Sequence, residues 1–469
     1  MVSEKDLIVV IETGSATVSG AAGYKRADGT IEVVAYASEP SGEFIRNGVV
    51  RNIDRTAQCL TNIINMLEGD LENVSIDKVY VGIGGYTLHT IPTKVERGFD
   101  EETRVTAEMV ESMIVEQEER IVSNKTVIDV IPQEYTVDSL VTGEPVGCNC
   151  RHIVGEYLNL MARFTTMENL GAAFDMANLA NTDTLVTPLQ LAERILTPTE
   201  RSLGCTLVDI GAGCTTVSIY KGGRLRFLSV IPIGDSLITA DLMTLGIGVE
   251  EAEKIKRNIG LTNKNGDEAI YKVESGDTIR LKDIGLVIRA RMQEILANVT
   301  NQAKLGGYTD DKPNTNCVFT GGAMEIPGAG EYIRQQLGYT RIRVAELGEN
   351  VRWSAPQCPT VSKQLVMATL IAAGEGNCVT IVREAKKEID YTDPAIETGK
   401  LFNDEGESAQ DERDQKEQER RRRAEEEKQR KQEEKLRKQQ EKARKKGPNL
   451  FDRIKSMRDR LTDIINDND

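Results

Sequence analysis

Aromatic residues make up 4% of this chain, tryptophan occurs once, at Trp353, and histidine twice, at His89 and His152. The core is therefore aliphatic, and chemistry built on histidine has almost nothing to work with. There is no Ser-His-Asp elbow, no G-x-x-x-x-G-K-[ST] loop and no metal-ligand spacing. The eight cysteines contain no C-x-x-C, and Cys148 and Cys150 form the only close pair. They read as reduced thiols in a cytoplasmic protein, not as a disulfide framework or a zinc site. No stretch approaches the ~20 apolar residues of a spanning helix. Met1–Asp6 is polar and the run after it is short, so no signal peptide is expected.

Negative charge, in contrast, is plentiful. The net charge is −15 over 469 residues, and it sits on the part before the charged C-terminal region, which is nearly balanced. An acidic body argues against nucleic acid as a partner. The length predicts two or three domains.

The organising stretch is Leu203–Gly234. An apolar run, Cys205–Asp209, breaks at Gly211-Ala212-Gly213, resumes over Thr215–Tyr220, turns at Lys221-Gly222-Gly223 and runs on over Leu225–Ile231. This predicts a three-stranded meander. Its first turn suits a phosphate, because glycines let backbone N–H groups approach an anion. Asp209, ending the first strand, is placed to hold Mg²⁺ through water. The same unit recurs near the N-terminus as Asp6–Ile11, the turn Glu12-Thr13-Gly14-Ser15, then Ala16–Tyr24 and Thr30–Ala37. An acid-x-Gly turn after a strand thus occurs twice, at Glu12 and Asp209, and predicts an internal duplication whose halves clamp one ligand.

Further along, Ile53–Leu67, Glu168–Ala180, Pro188–Leu196, Asp235–Gly246, Val249–Gly260 and Ile284–Ala303 have helical patterns, and Asn316–Gly330 reads as a strand entering a double-glycine turn. Between Tyr86 and Thr166 short strands at Lys94–Glu96, Thr126–Ile131, Glu134–Leu140 and Tyr157–Thr165 surround an acidic helix near Ala107–Arg120, the pattern of a small α+β insertion.

The order of two acid-turn hairpins, the E-x-x-K helix Glu250–Gly260 and the strand-Gly-Gly of Asn316–Gly330 resembles the ATP-binding signature of the actin, Hsp70 and sugar-kinase superfamily. Val130–Asp138 (VIPQEYTVD) and Ile231–Asp241 (IPIGDSLITAD), together with the tail, narrow the resemblance to FtsA, the actin-like family of bacterial cell division. It implies an α/β, two-lobed actin-like fold with duplicated core subdomains, an inserted subdomain 1C and a C-terminal extension. The implied division is 1–85 for the first part of subdomain 1A, 86–166 for 1C, 167–203 for the return to 1A, 204–390 for 2A and 2B, 391–446 for a linker and 447–469 for a membrane-targeting helix.

The family resemblance also implies the site. Thr13, Gly14 and Ser15 are expected on one side of the phosphates of ATP, with Gly211, Ala212, Gly213, Cys214 and Thr215 on the other. Asp209 and Glu12 approach Mg²⁺ through water, Gly234 lies near the phosphates, Glu253 and Lys256 near the ribose, and Gly321, Gly322 and Met324 beside the adenine. Glu12 replaces the usual aspartate, Ala212 and Cys214 interrupt the usual glycines and threonine, and Val217 stands where many relatives have aspartate. Slow ATPase activity at most is therefore expected, with no catalytic residue assigned. On the helix Ile284–Ala303, Arg291 and Glu294 are expected to border a pocket for the C-terminal peptide of FtsZ, the tubulin-like ring protein. The other implied partners are further copies of the chain, in a filament, and later division proteins through 1C. A superfamily ATPase of the Hsp70-like or pilus-assembly type is the alternative.

Asn403–Lys446 is almost wholly Glu, Lys, Arg and Gln, with i,i+4 pairs such as Glu417–Arg421 and Glu427–Lys431. It lacks an apolar face and reads as a solvated spacer. Leu450, Phe451, Ile454, Met457, Leu461, Ile464 and Ile465 then recur at helical spacing, after a basic cluster that includes Lys442, Arg444, Lys445 and Lys446. Such a helix ordinarily docks on its own body. The long polar spacer favours an anionic membrane surface instead, since each basic group there contributes about 1 kcal/mol. By resemblance this places the protein at the cytoplasmic side of the inner membrane, at the division site.

Overall fold

The computed structural model describes residues 6–120, 122–261, 269–274, 276–308, 316–381 and 449–456. The chain divides into a large unit, 1–382 with 450–469, and a second unit, 383–449. The large unit carries the fold; the linker expected at 391–446 lies outside the described residues.

Two sheets dominate. In the first, six strands run in the order Ala180–Val186, Lys78–Ile83, Ile8–Thr13, Thr17–Lys25, Ile31–Pro40, Val351–Trp353. In the second, nine strands run Leu140–Thr142, Lys125–Val137, Asn149–Arg163, His89–Arg104, Arg224–Ile231, Thr215–Lys221, Cys205–Ile210, Asn316–Thr320, Arg341–Val344. Each contains the same five-strand pattern: a meander whose first strand has two parallel neighbours stacked on its outer side. The match extends to register. Glu12 and Asp209 are each the penultimate residue of the first strand, opposite Ser19 and Thr216 across the hairpin and beside Gly82 and Thr320 on the parallel neighbour. The duplication expected from the two acid-x-Gly turns is therefore present in the pairing.

The strands form because their apolar positions are buried on both faces, as covered sheets require. Ile8, Val9, Val10 and Ile11 are fully buried in the first half, as are Val208, Ile210 and Val217 in the second. The helix Ile53–Leu71 covers one face of the first sheet with Leu60, Ile63 and Leu67, started by Asn52, whose side chain accepts from the Arg55 N–H. The helix Val361–Ala373 packs on the same sheet with Met367, Ala368, Leu370 and Ile371. The helix Leu281–Leu305 supplies Ile288, Met292, Ile295 and Val299 to the second half.

The insertion departs from its expected form. His89–Arg104 is one strand of 16 residues where a three-residue strand was expected, and Lys125–Val137 is one strand of 13 where two were read. Both its neighbours are long, so pairing along Asn149–Arg163 holds these strands in place. Only Val95 is fully buried in His89–Arg104; the packed face carries Ile91, Val95 and Phe99 with Thr93 and Arg97 between them, so burial alternates along the strand while its apolar pattern is interrupted. This sheet joins the second half through the pair Ser229 and His89, and it has its own small core around Val127, Tyr135 and Tyr157. The helix Ala107–Glu118 lies where an acidic helix was expected, capped by Thr106.

Candidate functional site

The ends of the two first strands face one cavity of about 310 Å³. Each turn is closed by the same hydrogen bond. Gly14 N–H donates to the Thr17 carbonyl at 3.0 Å, and Gly211 N–H donates to the Cys214 carbonyl at 2.9 Å. Behind the turns, other groups hold the loop carbonyls. Ser41 Oγ donates to the Gly14 carbonyl at 2.7 Å. Asp235 N–H donates to the Gly211 carbonyl at 2.9 Å, and Ser236 Oγ to the Ala212 carbonyl at 2.7 Å. A trans peptide points its N–H opposite to its C=O. Tying these carbonyls back therefore aims the amides of Ser15, Ala212 and Gly213 the other way, and all three residues line the cavity. The result is an anion cradle made of backbone dipoles.

The two loops also touch. A Cβ on Gly213 would lie 2.6 Å from Ser15 Oγ and 2.9 Å from Asn47 Oδ1, so only glycine allows this approach. Gly321 follows the strand Asn316–Thr320 with φ of 97°, and a Cβ there would collide with Asp209 Oδ1.

Charge in the cavity centres on Glu12 and Asp209. Lys363 Nζ lies 2.7 Å from Glu12 Oε2. Burial pulls the Lys363 ammonium toward neutrality, but the Glu12 carboxylate outweighs it and the net shift is upward. Asp209 is pushed up to about 6, first by desolvation and then by the charge of Glu12, with Lys363 opposing. With Asp235 and Arg257, which also line the cavity, two cations face three carboxylates, and the net negative charge suits a divalent cation. The Cys214 thiol is pushed up to about 12 by burial and by Asp209, so it stays protonated at neutral pH.

Of the residues expected here, Glu12, Thr13, Gly14, Ser15, Asp209, Gly211, Ala212, Gly213, Cys214, Gly321 and Gly322 line the cavity. Thr215 does not; its hydroxyl donates to the Ile233 carbonyl at 2.7 Å. Gly234 sits behind the loop, with no room for a Cβ against Ala212. Met324 packs at the edge of the second core. Val217 is fully buried in a strand and packs in the second core.

Lys256 and Glu253 form a network with Asp235. Lys256 is 1% exposed; its Nζ lies 2.8 Å from Glu253 Oε2 and 3.5 Å from Asp235 Oδ1. Burial raises the Asp235 carboxyl, and Lys256 and Arg257 counter it. Of this network Asp235 and Arg257 line the cavity; Arg257 holds Glu253 Oε1 at 3.0 Å and donates from Nη1 to the Gly322 carbonyl at 2.8 Å. Arg257, Asp235 and Lys363 were missed in the sequence. Lys363 had a signal, a lone cation in the first turn of the apolar helix VSKQLVMATLIAA. Arg257 had none, since it neighbours Lys256 in a charged helix.

Arg291 lies away from this cavity, on the helix Leu281–Leu305. Its guanidinium grips Asp241 with two hydrogen bonds, Nε to Oδ2 at 2.7 Å and Nη2 to Oδ1 at 3.0 Å, and also contacts Glu294. In the tail, Leu450 and Ile454 are 7% and 4% exposed against the body and Phe451 packs on Phe174. Met457, Leu461, Ile464 and Ile465 lie outside the described residues. No helix among the described residues is long and apolar enough to cross a membrane.

The family profile "Cell division protein FtsA" matches residues 206–372. The chain is 32% identical over 341 residues to the cell division protein FtsA of Porphyromonas gingivalis, covering 71% of each chain. It is 25% identical over 359 residues to the FtsA of Escherichia coli, covering 73% of this chain and 84% of that one. Among solved structures, a chain of the PilM–PilN type IV pilus biogenesis complex superposes with a TM-score of 0.56 at 15% identity, covering 78% of this chain and 97% of that one. At that identity the likeness concerns the fold alone, and the fold is the two-lobed actin-like one.

Proposed function

The chain belongs to the FtsA family of actin-like bacterial cell division proteins, and from that premise we propose that it binds ATP between its two hairpin turns and polymerises at the cytoplasmic face of the inner membrane. There it anchors FtsZ filaments of the division ring and recruits later division proteins through the inserted subdomain. The observation that carries the nucleotide reading is the pair of turns with matching closing hydrogen bonds, facing one cavity from two sheets of identical register.

In this reading the amides of Ser15, Ala212 and Gly213 bind phosphate oxygens, and Asp209 and Glu12 fit Mg²⁺, held through water. The cation would offset phosphate charge when bound. Gly321 and Gly322 supply the floor beside the adenine, and Arg257 supplies a cation that no sequence motif marks. Opposite Asp209 the cavity presents Thr216, not a carboxylate, and the cleft is better suited to holding ATP than to cleaving it. ATP then acts as an effector that favours the closed conformation, and its contribution to polymerisation is limited to its differential affinity for that state.

The test is titration of the full chain with a fluorescent ATP analogue and Mg²⁺, followed by pelleting with anionic vesicles. Saturable binding that a substitution at Gly213 abolishes supports the reading. Full affinity in that variant would remove the nucleotide from this cleft.

A further inference from the structure

The apolar stripe read as a membrane anchor begins, in this structure, inside a groove of the chain's own body. The helix at 450–456 lies against the helix Phe164–Met176. Leu450 and Ile454 belong to the same buried core as Leu170 and Phe174, and the Phe451 ring centroid is 6.2 Å from that of Phe174. The groove is shaped for that ring. The three atoms nearest a Cβ built on Gly171 are all Phe451 ring carbons, at 3.6, 3.7 and 3.9 Å. The far wall is polar and matched to the helix. Arg453 Nη1 lies 3.5 Å from Glu118 Oε2, and Arg453 Nη2 donates to the Val127 carbonyl at 3.3 Å.

We propose that this groove is a docking site for the chain's own C-terminal helix, so that body and lipid compete for one apolar face. Leu450, Phe451 and Ile454 open the stripe that Met457, Leu461, Ile464 and Ile465 continue. A face buried against Phe174 is not available to a bilayer. Vesicle affinity is then reduced by the fraction of molecules with the helix undocked. The lipid half of this inference rests on the membrane reading above; the docking half does not.

Two variants of the full chain separate the halves. Gly171→Leu fills the space of the Phe451 ring while replacing a poor helix former by a good one, so the body is not weakened. Glu118→Arg repels Arg453 from the other wall. Without lipid, hydrogen exchange at residues 450–456 is expected to be protected at least tenfold in the parent chain and to lose that protection in both variants. With phosphatidylglycerol-rich vesicles, Gly171→Leu is expected to bind at least threefold more tightly than the parent. Equal exchange in parent and variants overturns the docking. Altered exchange with no vesicle binding by any of the chains leaves the docking in place and overturns the competition together with the membrane reading. Altered exchange with equal vesicle binding overturns the competition alone.

Discussion

Lys363 Nζ stands 2.7 Å from Glu12 Oε2, so a side chain of the helix Val361–Ala373 puts its ammonium beside one of the two carboxylates that end the duplicated strands. The two groups are 351 residues apart in the chain. Their side chains are 21% and 20% exposed, which leaves the pair mostly shielded from water.

Removing the ammonium strands Glu12 beside Asp209. Lys363→Met is expected to destabilise the ligand-free protein by about 1–3 kcal/mol, below the cost of breaking a fully buried pair. Glu12→Gln in the same chain is expected to recover most of the loss. Urea denaturation of the two single variants and the double variant gives the coupling energy. Additive losses would show that the two groups do not act on each other.

Asp209 makes stability depend on pH. Its folded carboxyl titrates at about 6, above the unfolded value of about 3.9. A raised carboxyl binds its proton more tightly in the folded chain, so its contribution is full below about pH 4 and is lost as pH rises to about 6. Asp209→Asn is expected to flatten the stability profile across that window and to raise ligand-free stability at pH 7 relative to the parent. Denaturation midpoints at pH 4, 5, 6 and 7 check this. A parallel offset between the two profiles would exclude Asp209 as the titrating group.

Gly213 keeps the two loops in contact. Gly213→Val places methyl groups where Ser15 Oγ and Asn47 Oδ1 now lie, and it should hold the loops apart. Nucleotide affinity is expected to fall at least tenfold while the thermal midpoint moves by only a few degrees, since the position is at a turn outside the cores. Calorimetric titration beside a thermal melt separates the two effects.

Arg291 is already engaged by Asp241. An acidic peptide binding at this helix must compete with that bidentate pair. Asp241→Asn is expected to tighten binding of the C-terminal FtsZ peptide by severalfold, and Arg291→Glu to abolish it. Fluorescence anisotropy with labelled peptide reads both. If Asp241→Asn weakens binding, the arginine is positioned by the aspartate for the peptide, not withheld from it.

Most of the fold was legible because it depends on local pattern. Apolar runs such as Cys205–Asp209 and Thr215–Tyr220 are strands in any context that buries both faces, and the glycine turns between them leave little choice of connection. Acid-x-Gly at Glu12 and Asp209 disclosed the duplication, since equal turn chemistry at equal places in a strand implies equal register. The long strand His89–Arg104 was hidden because Thr93 and Arg97 interrupt the apolar face of Ile91, Val95 and Phe99, and pairing with Asn149–Arg163 supplies what that pattern lacks.

By itself, then, the sequence determined the two hairpins and the glycine turns between their strands, because each follows from spacing within a few residues. Only the tertiary structure decided that Lys363 meets Glu12, that Arg257 and not Lys256 reaches the cleft, and that Leu450 and Ile454 lie against the body. Those outcomes are set by which surfaces meet after hundreds of residues of chain have folded back, and no local period encodes them.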